Sequence, residues 1–125
     1  MLLDSNIIIY SIQPNNKQLR EFIAEELPCV SAISYVEVLG YHNLTLQDQV
    51  DLEEFFSLVP VLQITSIVLD QAVTLRQIRK ISLGDSLIAA TSLVHDITLV
   101  TRNVKDFAWI SGIKLLDPFS NFNHS

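Results

Sequence analysis

The most constraining feature of this sequence is the alternation of short apolar runs with segments of helical periodicity. Leu19, Phe22 and Ile23, for example, repeat at the spacing of one helical face. Short apolar strands separated by helices predict an α/β domain with a central, mostly parallel sheet between helices on both faces. Strands are predicted at 1–3, 28–30, 59–64, 97–101 and 113–116, and helices at 6–12, 16–27, 31–40, 45–56, 66–80, 85–95 and 103–107.

Length and composition favour one ordered domain. The chain has 125 residues, of which 49% are hydrophobic and 18% charged, so a disordered or low-complexity chain is excluded. A single cysteine excludes an internal disulfide framework and a cysteine-based zinc cluster. We predict a domain over residues 1–118 and a C-terminal tail over 119–125. No targeting segment or membrane-spanning run is visible, so we expect a soluble cytoplasmic protein.

The charge balance argues against binding to nucleic acid through basic side chains alone. Eight Lys and Arg face fourteen Asp and Glu, which gives a net charge of −6. Such a chain is a poor non-specific binder of polyanions. If it acts on one, a bound divalent cation could supply part of the attraction.

Four acidic residues are predicted to lie at one edge of the sheet. In open parallel sheets, ligands bind beyond the carboxyl ends of the strands. Asp4 follows the first strand, Glu37 lies early in the helix after Val30, Asp85 begins a helix, and Asp106 follows the strand at 97–101. All four can therefore converge on one site.

Three of these acids also fit a simpler structural role. Asp85 comes three residues after Ser82, and Asp106 three after Asn103, which are spacings typical of capping boxes at helix starts. Asp4 could likewise act as an N-cap. The sequence leaves capping and chemistry open for each of them.

Glu37 fits a structural role least well. Ile33 and Tyr41 lie one turn away on its face, and Val36 and Leu39 border it. A lone carboxylate in an apolar stripe costs several kcal/mol unless it is paired or binds metal. The remaining alternatives are that its carboxylate reaches solvent or pairs with an arginine.

Four clustered carboxylates indicate a metal site. They repel one another, so some stay protonated unless a cation is present. An all-oxygen ligand set favours Mg²⁺ or Mn²⁺ over zinc. Such a site binds phosphates, activates water and stabilises a leaving oxygen.

Four segments, taken in order, resemble the PIN-domain ribonucleases, and specifically the VapC-type toxins of type II toxin–antitoxin pairs. The similarity runs from Met1 to about Pro118. The segments are Leu3-Asp4-Ser5-Asn6, Ser34 to Gly40, Asp85 to Thr91, and Leu99 to Phe107.

The resemblance implies a PIN-like three-layer α/β/α fold and a metal-dependent endoribonuclease. Asp4, Glu37, Asp85 and Asp106 would then be both catalytic residues and ligands of Mg²⁺ or Mn²⁺. The substrate would be structured RNA, such as transfer or ribosomal RNA. The partners would be a small cognate antitoxin and a second copy of the chain in a homodimer. Candidate substrate-binding or supporting residues are Ser5, Asn6, Thr101, Arg102, Asn103 and Lys105.

Two other classes of function remain as alternatives. A phosphoaspartate protein, either a receiver or a phosphatase, also places an Asp after its first strand and uses Mg²⁺. The phosphatase pattern needs a second Asp where this chain has Asn6, and a receiver has paired acids near the first strand, where this chain has Asp4 alone. The other alternative is a catalytically silent PIN-like interaction module.

Overall fold

A five-stranded sheet forms the centre of the molecule. The computed structural model describes residues 1–121. The strand order is β3-β2-β1-β4-β5, and all four neighbouring pairs are parallel. The prediction of a mostly parallel sheet is therefore confirmed. The strands are β1 (Leu2–Leu3), β2 (Cys29–Ser31), β3 (Val61–Leu62), β4 (Leu99–Val100) and β5 (Leu115–Leu116).

Helices cover both faces of this sheet. Alternating strand side chains divide the interior, since Leu2 and Leu99 belong to one apolar core and Leu3 and Val100 to the other. Residues of α5, α6 and α7 fill the first core, and residues of α1 to α4 fill the second. The result is the predicted three-layer α/β/α domain. The helices are α1 (Ser5–Ser11), α2 (Lys17–Glu25), α3 (Ala32–Leu39), α4 (Leu46–Leu58), α5 (Ser66–Ile78), α6 (Leu83–His95) and α7 (Val104–Phe107).

Side-chain caps fix where several helices begin. The Ser31 and Thr45 hydroxyls cap α3 and α4; the sequence predicts Thr45 for α4 and leaves Ser31 or Ser34 open for α3. For α5 the sequence predicts Ser66 as the N-cap, and this is wrong, because the neighbouring Thr65 hydroxyl accepts from the Val68 N–H at 3.3 Å. That bond makes Ser66 the first helical residue of α5.

The chain beyond β5 returns to the domain surface. Pro118–Asn121 forms a short 3₁₀ helix, and the Phe119 ring meets the Tyr10 ring edge-on at 5.9 Å. The Arg102 guanidinium lies 4.3 Å from the Phe119 ring centre. The predicted tail thus begins with a residue that contacts the domain, while residues 122–125 lie outside the described part. The boundary at 118 stays a prediction.

Candidate active site

Asp4 is the most enclosed of the four acids. It follows β1 and caps α1, with its Oδ1 accepting from the Ser5 N–H at 2.8 Å. Its Oδ2 accepts from the Thr101 hydroxyl at 2.8 Å, and the residue is 5% exposed. Asp4 therefore does cap a helix, and the same carboxylate lies at the edge of the sheet formed by the carboxyl ends of the strands.

Thr101 reaches Asp4 because of the strand register. Leu3 pairs with Val100, so the residues that follow the two parallel strands lie side by side. The Asn103 N–H donates to the Thr101 hydroxyl oxygen at 3.0 Å. Thr101 thus orients Asp4 and also holds the loop that begins after β4.

Ser5 links Asp4 to Glu37. The Ser5 hydroxyl lies 2.8 Å from Glu37 Oε1 and 2.9 Å from Ser34 Oγ. The Ser5 proton is donated to the carboxylate, because an ionised carboxylate accepts and does not donate. The buried Ser34 hydroxyl can then donate to Ser5, which completes a short chain of hydrogen bonds toward Glu37.

Glu37 is exposed: its neighbours suggested burial in an apolar stripe, but its carboxylate reaches solvent, which is one of the alternatives that the sequence leaves open. Val36 and Tyr41, which suggested that burial, are themselves 63% and 50% exposed. The packing of the described residues thus leaves the side chains of Val36, Glu37 and Tyr41 open to solvent. Glu37 therefore needs no buried counter-charge, and its carboxylate is open to solvent and ligands.

Asp85 lies in the first turn of α6 and is half-buried. Its N–H donates to the hydroxyl of the N-cap residue Ser82 at 3.1 Å, so the capping interpretation of this spacing holds. Glu37 Oε2 lies so close to Gly84 that a Cβ at that position would force the carboxylate to shift. The absence of a side chain at Gly84 therefore lets the Glu37 carboxylate approach the start of α6.

Asp106 lies on α7 and is exposed. The Asn103 side chain makes no capping hydrogen bond there, so the capping-box interpretation of this pair is wrong. Asp85 and Asp106 line a cavity of about 360 Å³ together with the predicted Lys105. Asp106 is thus free to interact with a ligand in this cavity.

The acids influence one another electrostatically. Burial raises the pKa of Asp4 above its usual range; Asp85 and Glu37 add to the rise, while the bonds from Thr101 and Ser5 oppose it. Burial also raises the pKa of Asp85; Asp106 and Glu37 add to the rise, and the bond with Ser82 opposes it. A cation at this edge would relieve this repulsion.

The donor set fits a hydrated divalent cation better than a closed metal cage. Among residues 1–121, no three His, Cys, Asp or Glu side chains come close enough together to enclose an ion by themselves. Mg²⁺ commonly keeps several waters and takes one or two carboxylates directly. Such an open site would take one or two of these carboxylates as direct ligands, and water would complete the shell.

In the part of the chain that the structure describes, two of the other predicted residues, Asn6 and Arg102, make no hydrogen bond or ion pair with the four acids. Asn6 is exposed in the first turn of α1. Arg102 points away from the cavity and stacks on the rings of Tyr10 and Phe119, at 5.4 and 4.3 Å. Sequence reasoning missed Ser34, although its position one turn before Glu37 is a usable signal.

Comparison with known families agrees with this geometry. Residues 1–111 match the model of the family described as PIN domain. The chain belongs to the PIN-domain family. PIN domains are nucleases that generally use divalent metal ions, so the family is one of hydrolases acting on nucleic acid. This assignment favours the nuclease over the phosphoaspartate alternatives.

Several solved structures share this fold over almost the whole chain. One chain of a toxin–antitoxin complex from Klebsiella pneumoniae is 29% identical, with a TM-score of 0.74 and coverage of 94% of this chain and 96% of that one. VapBC-1 from nontypeable Haemophilus influenzae is 28% identical, with a TM-score of 0.76 and coverage of 94% of this chain and 97% of that one. DNA-bound VapBC from Salmonella typhimurium, 23% identical with a TM-score of 0.82 and coverage of 94% and 96%, shows the fold alone. A search of curated proteins finds no match.

One further property concerns membranes. Within residues 1–121, no helix combines the length and the apolar character needed to cross a bilayer.

Proposed function

We propose that this PIN-domain protein is a metal-dependent endoribonuclease and the toxin of a VapBC-type toxin–antitoxin pair. Its substrate would be a structured RNA, of the transfer or ribosomal class. The observation that carries the proposal is the group of interacting carboxylates at the carboxyl edge of the sheet. In an acidic chain, such an edge attracts a phosphodiester once it holds a divalent cation.

Each acid has a distinct position in the proposed mechanism. Asp4, Glu37 and Asp85 would hold the principal Mg²⁺ or Mn²⁺, directly or through its water molecules, and Asp106 would help to hold a second ion or orient water. Bound there, the ion supplies charge neutralisation and lowers the pKa of water for attack on phosphorus.

The residues around the acids would fix the geometry. The Thr101 hydroxyl and the Ser5 N–H hold the two oxygens of Asp4, and the Ser5 hydroxyl holds Glu37. Three donors of this kind keep two carboxylates in place before substrate arrives.

The structural neighbours support the proposal of an antitoxin partner, while the homodimer and the cytoplasmic location stay expectations from the sequence resemblance. Two of the similar structures, at 28% and 29% identity, are toxin–antitoxin complexes. We expect a small cognate antitoxin that inhibits this chain, a homodimer as the working form, and action in the cytoplasm.

The test is cleavage of total cellular RNA by the purified full chain in Mg²⁺, Mn²⁺ or EDTA. Asp4→Asn is the inactive variant, and exposed Asp70→Asn is the matched control. We expect discrete fragments that require metal. Asp4→Asn should lower the rate by more than about a hundredfold, because even residues behind a metal ligand contribute about 10- to 100-fold.

Cleavage by Asp4→Asn at the wild-type rate would contradict the proposal. If the folded wild type produced no metal-dependent fragments, the silent interaction module would be the better description.

A further inference from the structure

A basic cavity adjoins the acidic edge. Asp85 and Asp106 line its wall, and so do Arg79, Lys80 and Lys105. Three of the eight basic residues in a chain of net charge −6 therefore lie around one cavity of about 360 Å³. This concentration runs against the overall composition and places positive charge beside the candidate catalytic acids.

Within the described part of the chain, the three cations of this cavity have no carboxylate partner within ion-pair distance. Across residues 1–121, the ion pairs are Lys17 with Glu21 at 3.8 Å and Lys114 with Asp96 at 3.0 Å. The acids of the cavity wall thus lie near the cations without neutralising them. The cations remain available to an anionic ligand.

Trp109 holds one of these cations in place. Its Nε1–H donates to the Asp106 carbonyl oxygen at 2.9 Å, and its ring packs against the core next to α7. The Arg79 guanidinium lies 5.5 Å from the centre of that ring. A guanidinium held by a ring face keeps its N–H donors free for the oxygens of a phosphate.

We infer that Arg79, Lys80 and Lys105 form a subsite for the RNA backbone, binding a phosphate that neighbours the one at the acidic edge. This inference rests on the proposed function. The ligand is a phosphodiester of a single-stranded or splayed segment. The cations contribute binding that is equal in the ground state and the transition state, since they hold a phosphate that does not react and fix the register of the RNA on the site.

The test compares Lys80→Gln/Lys105→Gln with Lys17→Gln/Arg76→Gln. The control pair removes the same charge from exposed positions outside the cavity. Binding of fluorescein-labelled polyuridylate to the full chain is measured in EDTA over a series of salt concentrations. Cleavage kinetics on bulk transfer RNA are then measured in Mg²⁺.

We expect the cavity variant to bind polyuridylate about tenfold more weakly than the control variant. The slope of log affinity against log salt should fall in magnitude by about 0.7 for each lost phosphate contact. KM should rise, and kcat should stay within about twofold, as for a loss of uniform binding.

The outcomes separate the inference from the proposed function. Equal affinities and equal salt slopes in the two double variants would overturn the subsite, even with a wild type that cleaves RNA. A reduced slope in the cavity variant, with no cleavage by the wild type in any metal, would support the subsite and overturn the proposed endoribonuclease.

Discussion

At the scale of single residues, two small residues, Ser5 and Gly84, determine the position of the Glu37 carboxylate. The Ser5 hydroxyl lies between the side chains of Ser34 and Glu37, and Gly84 contributes only the space beside Glu37. Neither carries charge, yet both determine where a carboxylate lies. The contribution of such residues is therefore to geometry, and activity should be more sensitive to them than stability.

Gly84→Ala separates these two effects. The added methyl group would meet Glu37 Oε2 and displace the carboxylate. Alanine also favours the helix over glycine by up to about 1 kcal/mol, so the unfolding free energy should stay equal or rise. We expect RNA cleavage to fall by about tenfold or more, measured beside a urea unfolding curve.

The control for that variant is Leu83→Ala, because Leu83 is the preceding helical residue and is 58% exposed. If Gly84→Ala cleaved RNA as fast as Leu83→Ala, the placement of Glu37 against α6 would not matter for catalysis.

We predict that Asp4→Asn changes how the unfolding free energy depends on pH. In metal-free protein, burial raises the pKa of Asp4 above its ordinary value of 3.8. Protonation of Asp4 therefore adds to the unfolding free energy. This contribution is fully present below pH 3.8 and is lost as pH rises through the folded-state pKa. Asparagine stays neutral and keeps acceptor and donor groups toward Ser5 and Thr101. The variant should therefore be the more stable protein at neutral pH in EDTA.

Urea unfolding in EDTA at a series of pH values measures this difference, which should shrink as the pH falls toward 3.8. A variant that is less stable than wild type by the same amount at every pH would contradict the electrostatic account of Asp4.

At the scale of elements, the end of α2 carries a conformational cost. Leu27 follows the C-cap residue Glu26 with a φ of 48°, a left-handed conformation that favours glycine. It is also 86% exposed, so little buried apolar area supports it. Leu27→Gly should raise the unfolding free energy by about 1 kcal/mol.

Leu27→Ala is the matched control, because it removes the same side chain but keeps the left-handed penalty. Equal unfolding free energies for the two variants in urea titrations would show that backbone strain at this position is negligible.

Helix boundaries were the easier part to predict from sequence, and side-chain surroundings were the harder part. Capping hydroxyls at Ser31, Thr45 and Ser82 follow from local chemistry, which is visible in the residues themselves. Thr65 and Ser66 are both good caps, so pattern alone does not separate them. The exposure of Glu37 depends on whether another element covers α3, and the spacing of residues within α3 carries no such information.

At the scale of the whole molecule, topology brings distant residues together. The parallel order of the strands follows from their alternation with helices, and it gathers the carboxyl ends at one edge. That reasoning predicted which acids share an edge. It did not predict the Thr101–Asp4 bond or the basic cavity, because both depend on strand register and on loop paths that periodicity does not contain.

The central claim is that the acids of this edge act together as a divalent cation site. The most direct measurement is a Mn²⁺ titration of the full chain followed by electron paramagnetic resonance, with wild type beside Asp85→Asn and the exposed control Asp70→Asn. We expect wild type and Asp70→Asn to bind Mn²⁺ alike, and Asp85→Asn to bind at least about tenfold more weakly. Equal affinity in all three proteins, or no binding by wild type at millimolar Mn²⁺, would contradict the claim.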